Sequence, residues 1–209
     1  MSEPEYTDLP VSPADALKLL LDGNDRFVGG DLLHPNQDAD RRAVNATGQR
    51  PFAVLFGCSD SRLAAEIIFD RGLGDLFVIR TAGHVVGAEV LGSIEYAVAI
   101  LDVPLIAVLG HDSCGAIGAT LDSIADGTSP PGFIRDIVER VMISVVPVRE
   151  LAVRDPDLAV TEHIRYTADT IIERSSLIAE RVAEGRCAVV GMSYRLAEGK
   201  ASLVTRHGV

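Results

Sequence analysis

Four continuous apolar runs constrain this chain more than any other feature: Phe52-Ala53-Val54-Leu55-Phe56, then residues 76–79, 105–109 and 187–190. A strand with one face in water alternates apolar with polar side chains. A run that is apolar at every position suits a strand covered on both faces, as in a parallel sheet flanked by helices. Helical patterns separate the runs over residues 63–69, 90–101 and 116–124. Residues 132–184 read as mostly helical, with breaks at Pro147 and at 154–156. Strand–helix alternation gives right-handed crossovers and layers of helix on both sides of the sheet. The expected fold class is α/β, a three-layer α-β-α arrangement with a mainly parallel sheet of four strands plus a short edge strand at 200–206.

Ahead of the first run, Ser12-Pro13-Ala14-Asp15 offers a capping hydroxyl, a proline for the first turn and an acid for the positive end of the helix dipole. Leu17, Leu20, Leu21, Phe27 and Val28 follow at helical spacing, which predicts an amphipathic helix over 13–28. Its apolar face must lie on its own domain or on a neighbouring subunit. Residues 1–11 carry acids and two prolines without periodicity and read as a disordered tail. With no repeat and no linker, residues 12–209 read as a single domain. With 47% apolar and 23% charged residues, the chain can bury a sizeable core. A net charge of −11 argues against nucleic acid and anionic membrane surfaces as partners. No run approaches the ~18–20 apolar residues of a membrane span, and no secretory pattern opens the chain. Three cysteines are too few for a disulfide framework and point to a reducing, cytoplasmic setting.

Two clusters carry chemistry. Cys58-Ser59-Asp60-Ser61-Arg62 begins where the first apolar run ends, and Gly110-His111-Asp112-Ser113-Cys114-Gly115 begins where the third ends. Open parallel sheets bind ligands just beyond the carboxyl ends of their strands, so the fold brings Cys58, His111 and Cys114 to one edge. Two thiolates and one imidazole favour Zn²⁺, and three protein ligands with one open position are the pattern of a catalytic zinc. The plainer alternative is that the cysteines are small buried hydrophobes. A structural zinc site is disfavoured because paired Cys-x-x-Cys knuckles are absent. Cys58 and Arg62 are too close for a cysteine phosphatase, and Gly72-x-Gly74 precedes a strand where a dinucleotide fingerprint would follow one.

The double motif resembles the signature of the β-class carbonic anhydrases. Residues 77–83 (Phe-Val-Ile-Arg-Thr-Ala-Gly), 94–98 (Ile-Glu-Tyr-Ala-Val), 191–194 (Gly-Met-Ser-Tyr) and Gly199 match as well, and the resemblance runs from about Leu17 to Val204. It implies Cys58, His111 and Cys114 as ligands of one Zn²⁺, with Asp60 and Arg62 as a catalytic dyad beside it. Asp60 is also a potential fourth ligand that would displace water and shut the site. It implies reversible hydration of CO₂ to bicarbonate and a proton by zinc-bound hydroxide. Two thiolates offset the charge of the ion, so its water is less acidified than among neutral imidazoles. A carboxylate accepting that water's hydrogen bond, held by a two-pronged arginine, answers this need.

The resemblance further implies Gln49, Phe77, Tyr96 and the Gly115 amide as substrate-binding groups, nearer the plant-type branch of the family. Ala82 stands where that branch often has valine. The other branch has a tryptophan in an inhibitory bicarbonate site. Leu55 occupies that position here, so only Arg80 of that site remains and no such pocket is expected. The family assembles as dimers or multiples of them with clefts at the subunit interface, so a homodimer or homotetramer is expected. COS or CS₂ hydrolysis on the same scaffold and a catalytically silent zinc module are the rival readings. His84 reads as a hydrogen-bonded structural imidazole or a proton relay, Cys187 as an inert thiol, and His34, His163 and His207 as surface residues.

Overall fold

Strands β1 (Ala53–Cys58) and β3 (Leu105–His111) are buried at every position, as uninterrupted apolar runs demand. They are the centre of a sheet ordered β2-β1-β3-β4-β5, where β2 is Leu76–Thr81, β4 is Ala188–Arg195 and β5 is Lys200–His207. The first four strands run parallel and β5 pairs antiparallel with β4. The computed structural model describes residues 12–209, so the expectation for residues 1–11 lies outside the described residues. The architecture is three-layered α/β with a mostly parallel five-stranded sheet.

Two strands differ from expectation. The last one is as long as β4, because a turn closed by Gly199 (φ 70°) is too short for a parallel crossover and folds β5 straight back along β4. Strand β2 is not covered on both faces. It lies at the sheet edge, and every position from Leu76 to Ile79 is only half-buried. Its apolar character exceeds what its own chain buries.

Helix α1 (Pro13–Gly29) starts as read, with Ser12 Oγ accepting the Asp15 N–H at 3.1 Å. Its buried residues include Ala16, Leu17, Leu20 and Asn24, and the helix packs on β3, β5 and the short helix α3 (Ala65–Ile68). The stripe is used within the chain at Leu17 and Leu20, whereas Leu21 and Phe27 are half-buried and Val28 is exposed. Asn24 stitches the contact: its amide donates to the carbonyls of Ile68 (3.2 Å) and Gly199 (2.8 Å) and accepts from Ala201 N–H (2.9 Å).

Helix α2 (Ala39–Asn45) buries none of its residues, so it has no apolar periodicity to read; only its Asp38 cap was available as a signal. Helices α4 (Ala88–Ala99) and α5 (Gly115–Asp126) follow β2 and β3. The 132–184 stretch resolves into α6 (Ile134–Val145), α7 (Arg149–Ala152), α8 (Pro156–Arg174) and α9 (Ser176–Ala183). Pro147 lies in a 3₁₀ turn and Asp155 caps α8, as the sequence breaks indicated. A further break falls at Ser175, whose hydroxyl caps α9; with neither proline nor glycine beside it, the helical pattern there is continuous in sequence. Helix α8 descends onto the sheet at two glycines: a Cβ on Gly110 or on Gly191 would meet Ile164 at 2.5 Å.

Strand order reverses at β1. From it the chain crosses to β2 on one side, and β3 then returns to its other side. Crossovers leaving in opposite directions open a crevice at the carboxyl ends of β1 and β3. Cys58 closes β1 and His111 closes β3.

Candidate metal centre

Cys58, His111 and Cys114 meet in that crevice. Their ligand atoms all lie within 4.8 Å of one another, and they form the one such cluster among the described residues. All three are buried and neither cysteine is in a disulfide. The two strand ends supply Cys58 and His111. The turn after β3, with Ser113 at φ 52°, delivers Cys114 to the position just before α5.

The imidazole is set up to ligate. His111 Nδ1 lies 2.7 Å from the Asp112 carbonyl, which can only accept, so the proton is on Nδ1. That leaves the Nε2 lone pair facing the thiols, buried and without a hydrogen-bond partner. An orphaned nitrogen beside two sulfurs is costly unless a cation completes it. The donor set and this nitrogen fit a zinc ion.

The thiols are also prepared. The neighbouring Cys114 thiol draws the Cys58 thiol down against the opposing effect of burial, helped by the N–H groups of Asp60 and Gly83. Cys114 is pushed up, first by the neighbouring Cys58 and then by burial, because a second negative charge would stand beside the first. The first-turn N–H groups of Ile117 and Ala116 work in the other direction. A divalent cation removes the conflict and takes both as thiolates.

Asp60 and Arg62 stand at the mouth. Arg62 grips the carboxylate with both prongs, Nε to Oδ1 at 2.8 Å and Nη2 to Oδ2 at 2.7 Å, and its backbone N–H adds a third bond at 2.9 Å. Asp60 Oδ2 lies 4.0 Å from His111 Nε2. The Arg62 side chain holds Asp60 well below the usual carboxylate range, outweighing the small desolvation that opposes it. Arg62 Nη2 also reaches the Ser113 carbonyl at 3.4 Å, linking the two motifs. Arg80 donates to the carbonyls of Cys58 (2.9 Å) and Asp60, fixing the backbone that carries ligand and carboxylate. This backbone clamp had no signal in the sequence, where Arg80 read only as a remnant of another site.

The remaining candidates are elsewhere in the chain. Phe77 pairs in register with Val54, four residues before Cys58 along β1, about 13 Å at the rise of a strand. Tyr96 packs against it with ring centroids 6.3 Å apart. Gln49 precedes β1 at the opposite, amino end and lines a shallow concavity with Arg42, Thr47 and Leu73. Within one chain these three do not meet the cluster. Gly115 does, as the residue after Cys114 at the start of α5.

Two histidines depart from expectation. His84 is fully buried, but neither ring nitrogen has a hydrogen-bond partner among the described residues; Phe56 and His163 pack against it instead. Burial, then His163 and His111, push its pKa down. His163 is not a surface residue: it is 2% exposed, with both nitrogens engaged. Its polar sequence context on α8 hid a face that turns inward. Cys187 is buried, its thiol pushed up to about 12 by burial, as an inert core thiol should be. No helix among the described residues is long and apolar enough to cross a membrane.

A family model described as carbonic anhydrase matches residues 53–201. Carbonic anhydrase 2 of Mycobacterium tuberculosis is 55% identical over 193 residues, covering 92% of this chain and 93% of its own length. The carbonic anhydrase of Mycolicibacterium smegmatis is 53% identical over 197 residues, or 94% and 96% of the two chains. Among solved structures, the β-carbonic anhydrase CcaA matches with a TM-score of 0.67 at 25% identity, over 90% of this chain and 87% of the other. A tetrameric β-carbonic anhydrase of Sordaria macrospora shares the fold, with a TM-score of 0.68 at 24% identity over 90% and 96% of the two chains.

Proposed function

This chain belongs to the β-class carbonic anhydrases, and from that premise we propose that it hydrates CO₂ to bicarbonate at a zinc ion held by Cys58, His111 and Cys114. The observation carrying this reading is the three-ligand cluster with the Asp60–Arg62 pair 4.0 Å from its imidazole. Zinc supplies Lewis acidity that makes water nucleophilic near neutral pH.

The chain's own residues do the rest. Asp60 Oδ2 accepts a hydrogen bond from the reacting water and orients its lone pair toward the CO₂ carbon. Arg62 keeps the carboxylate still and aimed while the water's proton departs to solvent. The Gly115 N–H, at a helix start, faces the developing charge on oxygen. Asp60 serves as fourth ligand only by letting go of both prongs of Arg62, which would close the site.

Gln49, Phe77 and Tyr96 complete the pocket from a second copy of the chain, because their own site lies too far away. The half-buried apolar edge of β2, which carries Phe77, supports a subunit boundary there. The active form is on this reading a homodimer or a homotetramer.

Stopped-flow CO₂ hydration on the zinc-loaded protein, from about pH 6.5 to about 9, tests the reading. Activity rising with pH is the expected result. Cys58→Ser should lose zinc and turnover together, whereas Asp60→Ala should keep zinc and lose roughly a hundredfold or more in rate. No hydration with stoichiometric zinc would overturn the proposal and leave a sulfur analogue of CO₂, or a silent zinc module, in its place. X-ray absorption at the zinc edge across the same range tests Asp60 as a ligand: an oxygen shell unchanged with pH rejects it.

A further inference from the structure

Gly83 faces two ways. It sits in the 3₁₀ turn after β2 with φ 62°, and a Cβ there would meet that of Ala116 at 2.8 Å. Its N–H donates to Cys58 Sγ at 3.3 Å, and its carbonyl accepts from His163 Nε2 at 2.7 Å. The next residue, His84, is also left-handed at φ 40°. A residue other than glycine persists in that region only when its surroundings hold it. His163, from α8, provides the polar hold.

The protonation of His163 follows from its partners. A carbonyl needs an N–H, so the proton is on Nε2; Nδ1 must then accept, and Ser144 Oγ of α6 lies 2.8 Å from it. The same hydroxyl lies 2.7 Å from the Val141 carbonyl, and its single hydrogen can serve only one of the two. Burial keeps the ring neutral, against weaker pulls from Gly83 and Cys58. The His84 ring packs against His163 with centroids 4.4 Å apart.

We propose that His163 is a positioning residue for the metal centre, holding Gly83 so that its N–H points at the Cys58 sulfur, with Ser144 seated against the other ring nitrogen. A hydrogen bond to a ligating sulfur sets its direction and drains its charge toward the donor, both of which tune the metal. The line Ser144–His163–Gly83–Cys58 connects α6 and α8 to the end of β1. The inference rests on the reading of Cys58 as a metal ligand and extends it to three residues that touch neither metal nor substrate.

The test uses the full chain loaded with Co²⁺ or Zn²⁺, reading the thiolate-to-cobalt charge-transfer band and zinc retention against a chelator. In His163→Leu the band should shift and zinc should be held roughly tenfold more weakly. The Gln side-chain amide reaches the place of Nε2, whereas that of Asn reaches only the place of Nδ1. His163→Gln should therefore restore the native band and His163→Asn should not. Ser144→Ala should shift the band less than His163→Leu. A native band and native zinc retention in a folded His163→Leu would overturn the proposal. If that variant does not fold, identical spectra for the Gln and Asn variants overturn it instead. A Cys58→Ser protein that keeps the wild-type cobalt band and zinc retention would reject Cys58 as a ligand, a failure of the underlying reading and distinguishable from the others.

Discussion

At the scale of single residues, Arg62 shows how geometry and charge can be separated. Its two prongs and its backbone N–H all converge on Asp60. A lysine keeps the positive charge but presents no fork. Without the fork, the Asp60 carboxyl returns toward its ordinary value of about 3.9, and it is still ionised at neutral pH. Arg62→Lys should thus retain zinc and run about 10–100-fold below wild type in kcat, a ratio that stays constant as pH is raised from about 7 to about 9. Recovery at high pH would mean that Arg62 acts on protonation rather than on position. The Asp60–Arg62 pair was legible through the family resemblance of the motif that carries both, since two-residue spacing alone is equally that of a cap and a surface pair. His163 and Arg80 were not, because they act on backbone atoms of residues distant in sequence, and backbone partners leave no pattern in side-chain identity.

Elements are held by a few buried junctions, and these carry the predictions at that scale. Asp70, buried after α3, accepts from Arg26 Nε of α1 at 2.6 Å and from the N–H groups of Leu33 and His34 at 3.1 and 3.0 Å. Burial alone would raise its carboxyl, but the Arg26 bond and the two amides outweigh it and hold the pKa below its ordinary value. Because the folded value is the lower one, the junction stabilises fully above the unfolded pKa of about 3.9 and is lost as pH falls below it. Asp70→Asn should cost about 2 kcal/mol at pH 7 by urea unfolding, with the gap to wild type closing between about pH 5 and about pH 2. A gap that does not change with pH would mean that shape, not charge, holds α1 in place. A second junction is the contact of α8 with the sheet. Gly110→Ala drives a methyl into Ile164 next to His111, and should cost roughly 2 kcal/mol, about 4–8 °C in Tm by calorimetry. An unchanged Tm would show that α8 can yield. The strands that bury two faces were readable from their runs. Helix α2 was not, since a helix with no buried residue has only its cap to announce it, and neither was the boundary at Ser175, where a capping hydroxyl interrupts an unbroken helical pattern.

For the whole molecule, one chain holds the residues of the proposed pocket in two places. Cys58, Asp60, Arg62, His111 and Cys114 gather at the carboxyl ends of the sheet, while Phe77 and Tyr96 pack together about 13 Å back along it and Gln49 lies at the amino end. Sequence motifs name both groups but carry no information on which chain a residue serves. Strand β2 ends the sheet with unpaired backbone and half-buried Leu76, Phe77, Val78 and Ile79, and Leu73 and Tyr96 are 47% and 48% exposed. An apolar edge of this kind invites another chain. If the pocket is shared, two inactive variants repair each other. A subunit with Asp60→Ala still offers Gln49, and one with Gln49→Ala still offers Asp60. After the two are unfolded and refolded together in equal amounts, half of the dimers pair unlike chains. In each of those, one site is wholly native and the other doubly defective, so the mixture should regain about a quarter of wild-type CO₂ hydration. Chains refolded separately and then assayed together without exchange should regain none. A co-refolded mixture no more active than the average of its two components would place each site within a single chain, and Gln49 would then have no part in it.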